Sequence, residues 1–397
     1  MQPEDGNRKI SESVEIHGHY DPRFVGVRDV FAAAFERGAE LGASVCVTLE
    51  GESVVDLHAG FADTARTQPW QHDSLVNLFS TTKGMTAICA LRLVDQGRLD
   101  LDAPVAKYWP EFAAGGKADL PVRHLLSHRA GLPAISKPLP PGSLLDWGVM
   151  TAALAEQEPW WTPGTQHGYH AISFGFLVGE VVRRIDGRSL GTFFREEVAE
   201  PLGVDLHIGL AEEHEGRVSK LVQGPVHAEN GPDLFQMILK DPESMLAKAF
   251  INPPLLPGDA NSREWRAAEI PAANGHGTAA ALARLYTALA LGGELDGVRV
   301  LSSETIEAAR TQHSLGLDAI LPLESRFGLG FQMPTEGEPT GPNPKVFGHA
   351  GAGGSYGQAD PENRIGFGYS MNLMHTGLWM VDPRPRALLR AVHEALA

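Results

Sequence analysis

Strand-like sequence is confined to the two ends of this chain, and helix-like sequence fills its middle. Residues 43–50 and 52–62 are rich in Val and other apolar residues on either side of Glu50-Gly51-Glu52, which predicts an antiparallel hairpin. The alternation then lapses until Leu301. Beyond it the pattern predicts a short helix from Ser303, strands near 327–333, 345–351 and 354–359, and a turn at Asp360-Pro361-Glu362-Asn363. A strand at 364–372 and a last helix over 385–396 complete that end. Between about 113 and 290 the periodicity is mostly helical, with Pro-rich loops ISKPLPPG and INPPLLPG and a helix from Ser173 to Ile185 stopped by Gly187. A strand must pair its backbone groups, so strands at both ends predict one antiparallel sheet closed by the two ends together. The expected class is α/β of the α+β type, an antiparallel sheet flanked by helices. Residues 1–112 and 291–397 would form a discontinuous domain and 113–290 a mostly helical one, with the active site between them. After a polar start, Asp21-Pro22 reads as N-cap and first helical residue, with Phe24, Val27, Phe31, Ala34 and Phe35 at helical spacing.

Composition removes several classes of function. No segment of the 397 residues approaches the ~20 consecutive apolar residues of a membrane span. Lys and Arg total 33 against 49 Asp and Glu, a formal charge of −16, which opposes binding to nucleic acid or to an anionic membrane. Cys46 and Cys89 sit in apolar stretches without C-x-x-C or Cys/His spacing, so both are expected to be buried thiols. The opening MQPEDGNRKISESVEIHGHYDPRF has no apolar h-region, and a cytoplasmic location is the expectation.

Three motifs carry chemistry. Ser80-Thr81-Thr82-Lys83 is the only Ser-x-x-Lys in the chain, at the start of STTKGMTAICALRLVDQ, which is apolar on almost every side as a buried helix is. A spacing of three on a helix brings the Lys ammonium beside the Ser hydroxyl, and the helix N-terminus favours negative charge on that oxygen. The second motif, Pro163-Gly164-Thr165-Gln166-His167-Gly168-Tyr169-His170, is a Gly-rich turn that delivers Tyr169 ahead of the Ser173 helix. A phenol with a pKa of ~10 is a poor base, but beside an ammonium it can pass a proton. The third, Phe347-Gly348-His349-Ala350-Gly351-Ala352-Gly353-Gly354, is a strand ending in small residues. Small residues let a substrate reach the free N–H groups of the strand edge, as an oxyanion hole requires.

In this order the three motifs resemble the serine β-lactamase and penicillin-binding-protein superfamily, specifically the class C β-lactamase-like esterases, family VIII carboxylesterases. Leu125-Leu126-Ser127-His128-Arg129-Ala130-Gly131-Leu132-Pro133, Glu200-Pro201-Leu202-Gly203 and Asn274-Gly275-His276-Gly277-Thr278 are similar to that family as well. The resemblance implies a β-lactamase/transpeptidase-like fold, Ser80 as acylated nucleophile, and Lys83 and Tyr169 sharing its proton, with the primary base left open. It implies an oxyanion hole of the Ser80 and Ala352 N–H groups, and His349, Gly351, Ala171, Trp160 and Tyr356 as substrate-binding residues. No cofactor and no metal are expected, and the partner is a small-molecule ester. His349 stands where the lactamases have the Lys of Lys-Thr-Gly, and Ala171 where they have an Asn two residues after the Tyr. A fixed cation for a substrate carboxylate and an amide for an acylamino group are both missing, which points to uncharged or short-chain carboxylic esters. The alternative is an amide or β-lactam hydrolase using the same chemistry, of the β-lactamase or D-amino-acid peptidase kind. A non-catalytic binding protein is a remote alternative that retention of all three residues opposes.

Three other patterns compete. Gly353-Gly354-Ser355-Tyr356-Gly357 spells the G-x-S-x-G elbow, with Asp360 and His375 following, but an elbow needs a helix after the Ser and here a strand and a turn follow. Gly275-His276-Gly277-Thr278-Ala279-Ala280 matches G-x-G-x-x-A without a preceding strand, so a pocket-lining loop with Thr278 as helix N-cap is expected. His17-Gly18-His19 offers two imidazoles on one strand face with no third ligand in the sequence.

Overall fold

The computed structural model describes residues 14–224, 233–254 and 259–397. The polar start over 1–13 and residues 255–258 of the INPPLLPG loop lie outside the described residues. The central sheet has six strands: β1 (Ile16–Tyr20), β2 (Gly42–Leu49), β3 (Glu52–Gly60), β4 (Phe347–Ala350), β5 (Tyr356–Asp360) and β6 (Ile365–Met371). Their order is β1-β3-β2-β6-β5-β4, antiparallel throughout. The two chain ends join at β2 and β6, in register from Leu49 against Ile365 to Ala43 against Met371. Both strands are buried over nearly their whole length, which is why GASVCVTL and IGFGYSM read as apolar runs.

Eight helices matter for the site: α1 (Val25–Glu36), α2 (Thr82–Asp95), α3 (Trp147–Glu156), α4 (Ser173–Asp186), α5 (Leu234–Lys240), α6 (Met245–Ile251), α7 (Ala279–Ala290) and α8 (Pro383–Glu394). One face of the sheet packs on α1 and α8, where Phe24, Val27, Phe31, Val45, Val55, Phe367, Leu388 and Leu389 form one core. The other face carries α7. That helix lies within the 113–290 stretch, yet it rests directly on the sheet, because β6 offers glycines beneath it. A Cβ on Gly368 would lie 2.1 Å from the Ala279 carbonyl oxygen, and one on Gly366 2.2 Å from Thr287 Oγ1.

Beyond α7 the second, larger core joins α2 to α3, α4 and the loops between them. Met85, Ile88, Cys89, Leu91 and Leu93 bury α2 on all sides, and Gly97, at φ 67°, ends it in the left-handed region. Cys46 and Cys89 are both free and buried. One expected strand is corrected: over 327–333 only Phe327 belongs to a strand, Glu324–Phe327, paired with Ser314–Leu317. Gly328 then turns back, its N–H bonding the Phe331 carbonyl, and Gln332 alone bridges to Gly348. No helix among the described residues is long and apolar enough to cross a membrane.

Candidate active site

Ser80 sits in the turn that leads into α2. Phe79 before it has φ 43°, a left-handed conformation that bulky residues rarely take. Local bonds hold it there: the Leu78 N–H donates to the Gly275 carbonyl at 2.7 Å, and Thr82 Oγ1 donates to the Phe79 carbonyl at 2.5 Å. The strained turn leaves Ser80 half-buried on the wall of a cavity of about 410 Å³.

Lys83, one helical turn on, is fully buried. Its Nζ lies 3.1 Å from Ser80 Oγ, 2.7 Å from the Ala171 carbonyl oxygen and 3.0 Å from the Ala272 carbonyl oxygen. No carboxylate offsets the burial, so desolvation holds its pKa well below the usual lysine range. Tyr169 lies with its ring centroid 4.8 Å from Lys83 Nζ. Its backbone N–H donates to Asp318 Oδ1 at 2.9 Å, and its ring packs against His128 and Phe327, which also touch each other. Burial pushes the phenol up, and the Ser80 hydroxyl beside it works the other way.

The strand edge is β4. The turn Gly351–Gly354 follows it, closed by the Gly354 N–H on the Gly351 carbonyl at 3.1 Å. Gly353 takes φ 86° there, which requires glycine. The backbone N–H groups of Ser80 and Ala352 have no partner among the described residues, and both residues line the cavity. His349 lines it too, buried, with Nδ1 donating to the Ala350 carbonyl at 2.8 Å. Burial first, and then the Lys83 charge, pull its pKa down to about 3, so the imidazole is neutral. Ala171 and Gly351 also line the cavity.

Two expected substrate-binding residues do not. Tyr356 starts β5, where alternation turns its side chain to the opposite face, into the core with α1 and α8. Trp160 packs at the edge of the cluster containing Tyr169 and Ala171, its indole N–H donating to Ser136 Oγ at 3.1 Å, outside the cavity wall. The competing motifs also resolve. Ser355 is 1% exposed and bonded to the Leu78 carbonyl, not open to substrate. Asp360 caps the turn after β5 by accepting from Glu362 N–H and Asn363 N–H. Thr278 caps α7. His17 and His19 lie on β1 opposite His58 and Asp56, and among the described residues no three such side chains are gathered for a metal.

Most of the cavity wall was not legible beforehand. Phe79, Leu234, Ile238, Phe250, Ile251, Trp265, Leu321, Leu378 and Trp379 make it apolar. They come from α5, α6, the short helix Arg263–Ala267 and loops far apart in the chain, and no local sequence pattern gathers them. Gln332 on the irregular stretch after Phe327 braces β4, accepting from the Ala350 N–H at 3.2 Å and donating to the Met380 carbonyl at 2.9 Å.

Comparisons with known proteins identify the family and the fold. A β-lactamase family model matches residues 27–391. The esterase/β-lactamase LipL of Mycobacterium tuberculosis is 39% identical over 377 residues, 92% of this chain and 85% of LipL. The crystal structure of a family VIII carboxylesterase superposes with a TM-score of 0.87 at 42% identity, covering 96% of this chain and all of that one. A penicillin-binding-protein homologue from Caulobacter crescentus follows at TM-score 0.86 and 40% identity, again over 96% of this chain and all of its own. With Ser80, Lys83 and Tyr169 brought together beside β4 in the expected order, the chain belongs to the β-lactamase family.

Proposed function

We propose that this protein is a serine carboxylesterase that hydrolyses uncharged carboxylic esters through an acyl-enzyme on Ser80. The observation that carries the substrate class is the cavity wall: among the described residues it holds no Lys or Arg, its ionisable side chains are Asp233, Asp382, His349, His375 and Tyr169, and the rest is mainly apolar. A substrate carboxylate would meet Asp233 and a neutral imidazole there, and the guanidinium behind the wall, Arg384, is already held by Asp382 and Glu40. A neutral ester brings no charge to this wall and meets mainly apolar surface, with the free Ser80 and Ala352 amides for its carbonyl oxygen.

Lys83 is the base in this mechanism. As a neutral amine it has two N–H bonds, matched by the Ala171 and Ala272 carbonyls, and one lone pair, left for the Ser80 hydroxyl. Ser80 Oγ forms a bond to the ester carbonyl carbon while its proton passes to Lys83 Nζ. The carbonyl oxygen takes the negative charge between the Ser80 and Ala352 N–H groups. As the C–O bond to the alcohol breaks, the leaving oxygen takes a proton from the Tyr169 hydroxyl, which Lys83 reprotonates. Tyr169 suits that role because its raised pKa keeps it protonated at neutral pH. Water then attacks the acyl-enzyme by the same steps in reverse.

A panel of aryl esters of graded acyl length, run beside a chromogenic cephalosporin with intact-mass detection of the acyl adduct, tests this. Esters are expected to be turned over faster and to leave an adduct on Ser80. Cephalosporin hydrolysis equal to that of a butyrate ester would replace this reading with the lactam or amide one, which the β-lactamase named among the relatives keeps in view.

A further inference from the structure

The G-x-S-x-G serine has a place in the chemistry without being a nucleophile. Ser355 Oγ donates to the Leu78 carbonyl at 2.7 Å and lies 3.0 Å from Thr81 Oγ1, whose hydroxyl donates to it. Leu78 and Thr81 flank Ser80, and the Leu78 carbonyl is two residues from the Ser80 amide. On the other side, Ser355 closes the turn that bears Ala352, since its carbonyl accepts the Gly351 N–H at 2.8 Å. The two turns touch where Gly351 has no side chain. A Cβ there would lie 2.1 Å from the Leu78 carbonyl oxygen and 2.2 Å from Ser355 Oγ. Among the described residues the side-chain hydrogen bonds across this seam are these two, and both are made by the Ser355 hydroxyl. Each oxyanion amide rides on a separate piece of chain, one from the N-terminal side of the sheet and one from the C-terminal side, and their spacing is set where those pieces meet.

We infer that Ser355 is a positioning residue of the oxyanion hole, whose hydroxyl holds the Ser80 and Ala352 amides at the separation that a tetrahedral oxygen requires. The inference rests on Ser80 being the acylated residue and on no particular substrate. An oxyanion donor must stand within a few tenths of an ångström of the developing charge, so a loosened seam weakens binding of the tetrahedral species and leaves the planar ester bound as before. Full removal of one oxyanion donor costs about 10²- to 10³-fold in kcat, so a displaced donor should cost about 10- to 100-fold.

The test compares wild type, Ser355→Ala, Ser355→Thr and Thr81→Val. The readouts are the rate at which a fluorophosphonate labels Ser80, kcat and KM for an aryl butyrate, and inhibition by a trifluoromethyl ketone against its methyl ketone counterpart. Ser355→Ala should label about 10- to 100-fold more slowly, lose kcat by a similar factor with KM within about twofold, and bind the trifluoromethyl ketone correspondingly less tightly, while the methyl ketone is unaffected. Ser355→Thr keeps the hydroxyl and should recover most of the loss, and Thr81→Val, which removes one of the two bonds, should fall between. A Ser355→Ala protein that melts lower but labels and binds the trifluoromethyl ketone like wild type would overturn the inference and leave Ser355 a purely structural residue. Wild-type protein that does not label at Ser80 would instead overturn the nucleophile assignment on which it rests.

Discussion

At the scale of single residues, the site is a pair of groups whose environments drive their pKa values apart. Lys83 is pulled down by burial without a carboxylate, and Tyr169 is pushed up by the same burial. The base must be neutral to accept the Ser80 proton, so kcat/KM for an ester without ionisable groups should rise with pH through the depressed Lys83 value. It should then stay level until the phenol ionises, above the usual tyrosine range. A pH–rate profile of the wild type checks this: a rising limb in the ordinary lysine range would assign the base elsewhere, and a falling limb near neutrality would assign the acid elsewhere. Lys83→Ala and Tyr169→Phe should each cost ~10⁴ or more in kcat, and the double variant should be little worse than the poorer single one, because the two handle one proton. Multiplicative losses would make them independent. That these side chains meet was legible because Ser80 and Lys83 stand three apart at the start of a helix and because the motif around Tyr169 follows in the order that resembles the family. The direction of Tyr356 was not, because which face a side chain takes depends on strand register, and β5 begins one residue after Ser355; that of Trp160 was not, because it lies in an irregular loop with no periodicity to fix its direction.

At the scale of elements, the hairpin, α2, α4 and the terminal strands follow from local patterning, and α2 could be placed to within two residues by its apolar run and Gly97. The stretch 327–333 misled because its apolar residues Phe327, Leu329, Phe331 and Met333 alternate like a strand while Gly328 and Gly330 break the pairing. Gly330, at φ 79°, supplies a conformation no alternation reveals, and a Cβ there would lie 2.3 Å from Ala87 on α2. The same kind of contact sets the seat of α7. Gly368→Ala would put a methyl 2.1 Å from the Ala279 carbonyl oxygen, a backbone atom that cannot rotate away, so α7 must lift from β6. Overpacking of this kind costs typically about 1–3 kcal/mol. The expected result is a lower Tm for Gly368→Ala with Gly26→Ala, on the open face of α1 where a Cβ meets nothing within 4 Å, as the unaffected control. Equal melting of the two would mean that α7 is held by contacts other than this close approach.

At the scale of the whole molecule, a sheet closed by strands from both ends must be locked by contacts between those ends, and one such lock is ionic. Arg384 opens α8 and is almost fully buried, donating to Glu40 Oε2 at 3.0 Å, to Asp382 Oδ1 at 3.0 Å and to the Leu373 carbonyl at 3.0 Å. It also donates to the Gly353 carbonyl, in the turn that bears Ala352. Glu40, on the loop before β2, belongs to the N-terminal end, so one guanidinium ties both ends of the chain to the edge of the site. No local pattern marks such a residue, since its partners lie 344 and 2 positions away in sequence. Removing one member of a buried ionic group leaves the others unpaired, at a cost of about 3–5 kcal/mol, so Arg384→Met should melt well below wild type. Its pH dependence carries a definite sign. Glu40 already has a raised pKa, from burial foremost, with Arg384 opposing it. A carboxyl whose folded pKa is raised stabilises most below its unfolded value and loses that contribution as pH rises through the folded one. Without Arg384 that folded value moves higher still, and Asp382, now held low chiefly against its burial by the same guanidinium, loses its partner as well. The gap in Tm between wild type and Arg384→Met should therefore widen from about pH 5 to about pH 8, because burial opposes ionisation of both carboxyls more strongly once the guanidinium is gone, while in the unfolded chain both ionise freely. Thermal melts of both proteins across that range decide it, and a constant gap would show that Arg384 acts through its carbonyl bonds and not through its charge.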